Sequence, residues 1–315
     1  MNLLGNLDCE ARWAGAALPD AVQRRISFYA ALFAACAPVA GRAERHDVWV
    51  PAAVDPARLL ARPGWTPPAL HTGEPPRPVD LAWADPAARA ANDRSATLAI
   101  AGELGVALPG ARVVASLAEL DAHLAAFGDR PWICKARWTA AGRDRARGAG
   151  PLAGELRARI ARMLARLGPL VFEPWLDRVA DLGVCGEIGP GGEVTVLAPH
   201  RLITDPRGGF LGIELAEVEP AIAGPLEAVA RDAAGLVAAR TGYRGRFAID
   251  AFVYRDGGAH RLHPLCELNA RHSFGWIARA LAGRLGIRRL GFDAPPPGAI
   301  VLIAPGDDRV TAWCA

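Results

Sequence analysis

From residue 92 onward the chain alternates short helical and extended patterns, and that order admits few architectures. Residues 92–104 carry helical spacing behind Asn92, read here as an N-cap, and 112–115 read as a strand. Ser116 opens a second helix to Phe127, and an apolar strand follows at 132–136. Residues 140–150 hold three glycines and three arginines without apolar periodicity, so an exposed, mobile loop is expected. Leu156, Ile160, Met163, Leu164 and Leu167 then recur at helical spacing before a strand at 170–173. Beyond Pro174 strands dominate, at 183–188, 193–197, 210–215, 247–254 and 262–267, with helices at 226–241 and 273–285. The first 90 residues add a helical stretch (21–37), a short strand (47–50) and a proline-rich passage (51–86). The expected class is α/β with α+β character, in three lobes: 1–91, 92–175 and 176–315.

A 315-residue chain that is 51% hydrophobic can fill two or three cores. Its net charge of +3, without an acidic or basic tail, does not call for nucleic acid as a partner. Six cysteines show no Cys-x-x-Cys pair, which suits a reducing cytoplasm. No secretory leader pattern is visible, and the longest apolar run, 27–37, is too short to span a bilayer, so no membrane partner is expected.

Several nucleotide and nucleophile signatures are missing. The chain's 36 basic side chains are 35 arginines and one lysine, and that lysine, Lys135, has no P-loop around it. No Gly-x-Gly-x-x-Gly follows a strand, no Gly-x-Ser-x-Gly elbow occurs, and no His-Arg-Asp loop precedes Asp181-Leu182-Gly183. His200, His263 and His272 lack metal-ligand spacing and are expected at the surface or in hydrogen bonds. Cys134, Cys185 and Cys266 read as small core residues in apolar strands.

What the chain does carry is an ordered set of chemically useful residues. An ammonium at the end of an apolar strand, Lys135, can reach a phosphate, and the glycine-rich loop behind it can offer backbone amides to others. Glu173-Pro174-Trp175-Leu176 is a strand running into a proline hinge, able to meet an adenine edge, and Asp181 could serve ribose hydroxyls. Asp250 lies in the apolar strand 248–254, where a carboxylate is costly unless paired or coordinated. Alternation places Glu267, Asn269 and Arg271 on one strand face, and an antiparallel neighbour could bring Asp250 beside them. Such hard oxygen ligands suit Mg²⁺, and Arg271 would complement phosphate or a developing oxyanion.

These elements, in this order over residues 92–285, resemble the ATP-grasp superfamily. Three features carry the resemblance: Lys135 with a lid containing Gly142 and Gly148, the Glu173 hinge with Trp175, Leu176 and Asp181, and Asp250 followed by Glu267-x-Asn269-x-Arg271. It implies an N-terminal lobe and two α+β lobes enclosing ATP, with two Mg²⁺ ions held by Asp250, Glu267 and Asn269. Asn92-Asp93-Arg94 stands where similar proteins often open a helix with Asn-Asp-Lys, so Arg94 would replace a phosphate-binding lysine. The arginine such ligases place before the first metal aspartate has two candidates, Arg246 and Arg201.

The resemblance implies a ligase that activates a small-molecule carboxylate as an acylphosphate and passes it to an amine, less readily a thiol, releasing ADP and phosphate. The expected substrates are an amino acid or small peptide, and a homodimer is the default assembly. A small-molecule phosphotransferase and a non-catalytic nucleotide-binding module are the rival readings.

Overall fold

A computed structural model describes residues 2–5, 7–15, 17–37, 46–74, 76, 86–138, 144–205 and 208–315. The chain opens with a parallel three-stranded sheet, β1 (Asn2–Leu4), β2 (Asp47–Trp49) and β3 (Ala69–His71), in spatial order β1-β2-β3. Between β1 and β2 run a short helix α1 (Cys9–Trp13) and α2 (Asp20–Ala31), the latter tightening into a 3₁₀ turn over Leu32–Cys36. Helices α3 (Pro86–Ala91) and α4 (Arg94–Glu103) follow.

A four-stranded antiparallel sheet comes next. Its strands are β4 (Arg112–Val114), β5 (Pro131–Ala136), β6 (Arg145–Ala149) and β7 (Leu170–Pro174), in order β4-β7-β5-β6. Helices α5 (Leu117–Phe127) and α6 (Gly154–Leu167) accompany it. The Ser116 hydroxyl accepts from Glu119 N–H while the Glu119 carboxylate accepts from Ala115 N–H, a reciprocal cap that fixes the start of α5.

The rest of the chain builds a nine-stranded sheet. It contains β8 (Arg178–Ile188), β9 (Val194–Val196), β10 (His200–Thr204), β11 (Phe210–Glu214), β12 (Gly245–Asp256), β13 (Ala259–Asn269), β14 (Arg289–Gly291), β15 (Ile300–Ile303) and β16 (Ala312–Cys314). The order is β13-β12-β8-β10-β11-β14-β16-β15, with β9 beside β8. Helices α7 (Pro220–Thr241) and α8 (Phe274–Leu285) complete the chain, and no described helix is long and apolar enough to cross a membrane.

Three apolar clusters hold these parts together. One joins Leu3, Phe28, Phe33 and Val48 to Ile213, Leu281, Leu290 and Leu302, so the early strands share a core with the end of the chain. A second gathers Ile100 and Ala101 of α4 with α7, β8, β12 and β13. The third lies within the four-stranded sheet, around Trp132, Phe172, Leu120 and Ile160.

Two expectations change. Asp93, not Asn92, caps α4, accepting from Ser95 N–H. Asn92 is buried and bonds both backbone polar groups of Ala270, which pins the chain just beyond β13. The expected mobile loop is in part a strand: residues 145–149 pair with β5 as β6, because Ala146 is buried beneath the hairpin and the ladder satisfies its backbone. Gly142 lies outside the described residues.

Gly148 has a packing reason to be glycine. A Cβ there would overlap the indole of Trp132, which is fully buried and donates its N–H to Gly150 O. Trp132 cannot step aside, so Gly148→Ala should cost about 1–3 kcal/mol in a urea melt, whereas Gly168→Ala at an open helix end should act only through its positive φ.

Candidate functional site

The site begins with strand register. In the β12–β13 ladder Asp250 stands directly opposite Glu267, and Ala248 opposite Asn269. Direct partners share a face, as do residues two apart, so Asp250, Glu267 and Asn269 present their oxygens to one side of the sheet. On the other flank of Asp250 the partner is Gly183, and beyond it His200. A Cβ on Gly183 would sit 2.6 Å from His200 Nε2, so the glycine makes room for that buried imidazole.

Arginines reach this face from two directions. Arg94, at the start of α4, donates Nη2 to Glu267 Oε1 at 2.6 Å and Nη1 to Ala136 O at 2.9 Å, linking the end of β5 to β13. Arg271 donates Nη2 to Asn269 Oδ1 at 3.0 Å and ion-pairs with Glu10 of α1 at 2.6 Å. Burial opposes both charges, but Glu267 beside Arg94 and Glu10 beside Arg271 raise each guanidinium above its usual value.

Lys135 lies across the seam on β5. Its ammonium donates to Glu173 of β7, each side chain being 12% exposed, and lies 3.8 Å from Cys266 Sγ. The pair is diagonal in the ladder, with Glu173 opposite Ile133. Burial pulls Lys135 down, and the Cys266 sulfur and Glu173 carboxylate more than offset it. Burial likewise pushes Glu173 up, and Lys135 brings it below the usual range. The Glu173 carboxylate is therefore committed to the lysine rather than presented to a base edge. In the hinge, Trp175 N–H is committed to Pro131 O, Leu176 is half-buried, and Arg147 lies 3.6 Å over the Trp175 ring.

Asp181 bonds Arg178 and the Thr204 hydroxyl, both at 3.0 Å. Arg246, four residues before Asp250 on β12, donates to His272 Nε2 at 2.8 Å and lies over Trp276. Arg201 is not brought into the group. It pairs with Leu182, which pairs with Ala251, so it faces away from the row of His200, Gly183 and Asp250, and it is exposed. His200 and His263 are buried rather than on the surface, and burial pushes them down to about 3 and about 4. Cys134 and Cys185 are buried core residues as expected, while Cys266 is half-buried beside Lys135 and Arg178.

Two residues carry roles that the sequence does not announce, and a third has a different role from the one its position suggests. Arg178 follows the hinge and could have been suspected from its position. Asn92 reads as a helix cap in the sequence and in the structure bonds Ala270 instead. Glu10 carried no signal, since α1 is too short for periodicity.

The oxygens of Asp250, Glu267 and Asn269 fit a divalent cation. Burial and then the Glu267 charge push Asp250 up to about 7, the signature of facing carboxylates that lack a positive partner between them. Asn269 Oδ1, though bonded to Arg271, keeps a second lone pair. Among the described residues no group of three or more His, Cys, Asp or Glu side chains forms a metal cluster, so the asparagine is needed to complete the set.

No protein-family model matches the chain, and no curated protein matches it. Solved structures do. An N5-carboxyaminoimidazole ribonucleotide synthetase in complex with ADP has a TM-score of 0.53 at 11% identity, covering 99% of this chain and 91% of that one. An N5-carboxyaminoimidazole synthase from Aspergillus clavatus, with ADP and 5-aminoimidazole ribonucleotide, scores 0.52 at 17% identity over 75% of this chain and 71% of that one. A D-cycloserine synthetase scores 0.51 at 19% identity over 90% and 99%. The likeness shows that this chain has the ATP-grasp fold.

Because the folded chain holds the Asp250 proton up to about 7 and an unfolded carboxylate releases it near 3.8, Asp250 opposes folding increasingly as pH rises between those values. In EDTA-treated protein, Asp250→Asn should therefore gain stability relative to wild type as urea melts step from pH 4 to pH 7. His200, His263 and His272, held low by burial, tilt the absolute curves the other way and cancel in the difference.

Proposed function

We propose that this protein is an ATP-dependent ligase that joins a small-molecule carboxylate to an amine through an acylphosphate, releasing ADP and phosphate. The observation that carries this reading is the in-register pair Asp250 and Glu267, with Asn269, joined by Arg94 from α4 and by Arg271 just past β13, with Lys135 across the seam on β5. Such alternation of hard oxygens and fixed cations suits a polyphosphate and its counter-ion, and an apolar ligand would gain nothing from it.

Magnesium held by Asp250, Glu267 and Asn269 would neutralise phosphate oxygens during transfer. Arg94, anchored to Ala136 O and Glu267, is a fixed donor at the phosphate end. Lys135 would trade Glu173 for a phosphate oxygen. The hinge backbone beyond Trp175 N–H would meet the base, and Asp181 the ribose. Arg271, and Arg246 on the same strand face as Asp250, are the donors available to the oxyanion formed when the amine adds to the acylphosphate. The D-cycloserine synthetase and aminoimidazole ribonucleotide neighbours support small-molecule substrates, and we propose an amino acid or small peptide as the class. We further propose the cytoplasm as its compartment and a homodimer as its assembly.

With Mg²⁺, ATP and pooled carboxylates and amines, ADP and phosphate should appear together in equal amounts, and Lys135→Ala should lower their release by about 10²-fold or more. ADP without free phosphate would indicate a phosphotransferase. AMP, or a Lys135→Ala variant as active as wild type, would overturn the ligase reading.

A further inference from the structure

Glu10 is an unusual anion in this seam. Its side chain is 4% exposed, and both Nε and Nη2 of Arg271 converge on the same oxygen, Oε1, at 2.7 and 2.6 Å. A guanidinium facing a carboxylate ordinarily engages both oxygens in parallel bonds. Here Oε2 is buried with no hydrogen-bond partner among the described residues. The adjacent Cys9 thiol lies close enough to hydrogen-bond the Glu10 side chain, but a thiol is a weak donor; burial and then the Glu10 charge push it well up, so it stays protonated. A buried, half-paired carboxylate is costly.

Its position explains what the free oxygen could serve. Glu10 projects from α1, the element that follows β1, and so stands at the carboxyl ends of the parallel strands β1, β2 and β3, where ligands of open parallel sheets bind. The turn into α1 is pinned, because a Cβ on Gly5 would overlap Ala30, and Gly5 N–H bonds Trp49 O. Through Arg271 the same carboxylate is tied to Asn269, two residues from Glu267. The segment after β1 thus holds, one arginine away from Asn269, a carboxylate whose second oxygen has no donor stronger than a thiol.

We infer that Glu10 Oε2 receives the ammonium group of the amine substrate, a compact primary amine such as that of a free amino acid. This rests on the ligase reading above and names the residue that selects its acceptor. An ammonium supplies N–H donors and a full charge at a point, whereas a carboxylate or phosphate would be repelled there.

The test uses thermal melts of the intact chain with Mg·ADP present. The probe is a pool of free amino acids and small primary amines, and the control is the same pool N-acetylated. Wild type should be stabilised by the free pool and not by the acetylated one. Glu10→Gln keeps an oxygen for Arg271 but turns an N–H toward the amine, so apparent affinity for the pool should fall about tenfold or more. Glu10→Asp, which keeps the charge at a shorter reach, should recover part of it. A purely structural Glu10 would lower every melting temperature without separating the two pools. Equal responses to both pools, no response to the free pool, or a Glu10→Gln variant that responds like wild type would each overturn the inference. If Mg·ADP itself fails to stabilise wild type, the nucleotide reading fails, and this inference with it.

Discussion

Buried charge governs how the parts of this protein meet. Glu10 is buried and Glu173, Asp250 and Glu267 are half-buried, and removing a carboxylate from water costs several kcal/mol unless a partner arrives with it. Each partner comes from a different element. Lys135 ties β5 to β7, Arg94 ties α4 to both β5 and β13, and Arg271 ties the end of β13 to α1. Well-packed apolar residues could hold such a seam as firmly, so stability alone does not account for these pairs. Asp250 shows this most clearly, because burial and Glu267 raise it and its arginine neighbours only partly compensate.

Much of this was legible because it depends on local periodicity. A strand repeats every two residues, so Glu267 and Asn269 share a face that the sequence alone predicts, and the β12–β13 register sets Asp250 opposite Glu267. Arg271 does not follow that alternation, because β13 ends at Asn269; it turns back to the site through its own bond to Asn269 Oδ1. Lys135 stood out by composition, as the lone lysine among arginines. Arg201 misled for the complementary reason. The sequence pattern predicts no strand at 200–204, so the pairing of β10 with β8 that turns Arg201 away follows only from the fold. Long-range packing was equally hidden. Nothing local announces that Leu3 and Val48 share a core with Leu290 and Leu302, or that three-residue strands such as β14 and β16 extend the large sheet. Glu10 belongs to this class, since its meaning comes wholly from Arg271, at the far end of the sequence.

The two cations that face the proposed phosphates divide the work by side-chain chemistry. Arg94 spends its planar fork on two fixed acceptors at once, Ala136 O and Glu267 Oε1, and so behaves as a strut whose position is set before any ligand arrives. Lys135 carries a point charge on a flexible stem and has one strong partner, Glu173, on the neighbouring strand. A lysine can exchange one oxygen for another without breaking a fork, and an arginine in the same place would hold Glu173 in two bonds. A chain that uses arginine at every other basic position keeps lysine where the proposed reaction needs a cation that can let go.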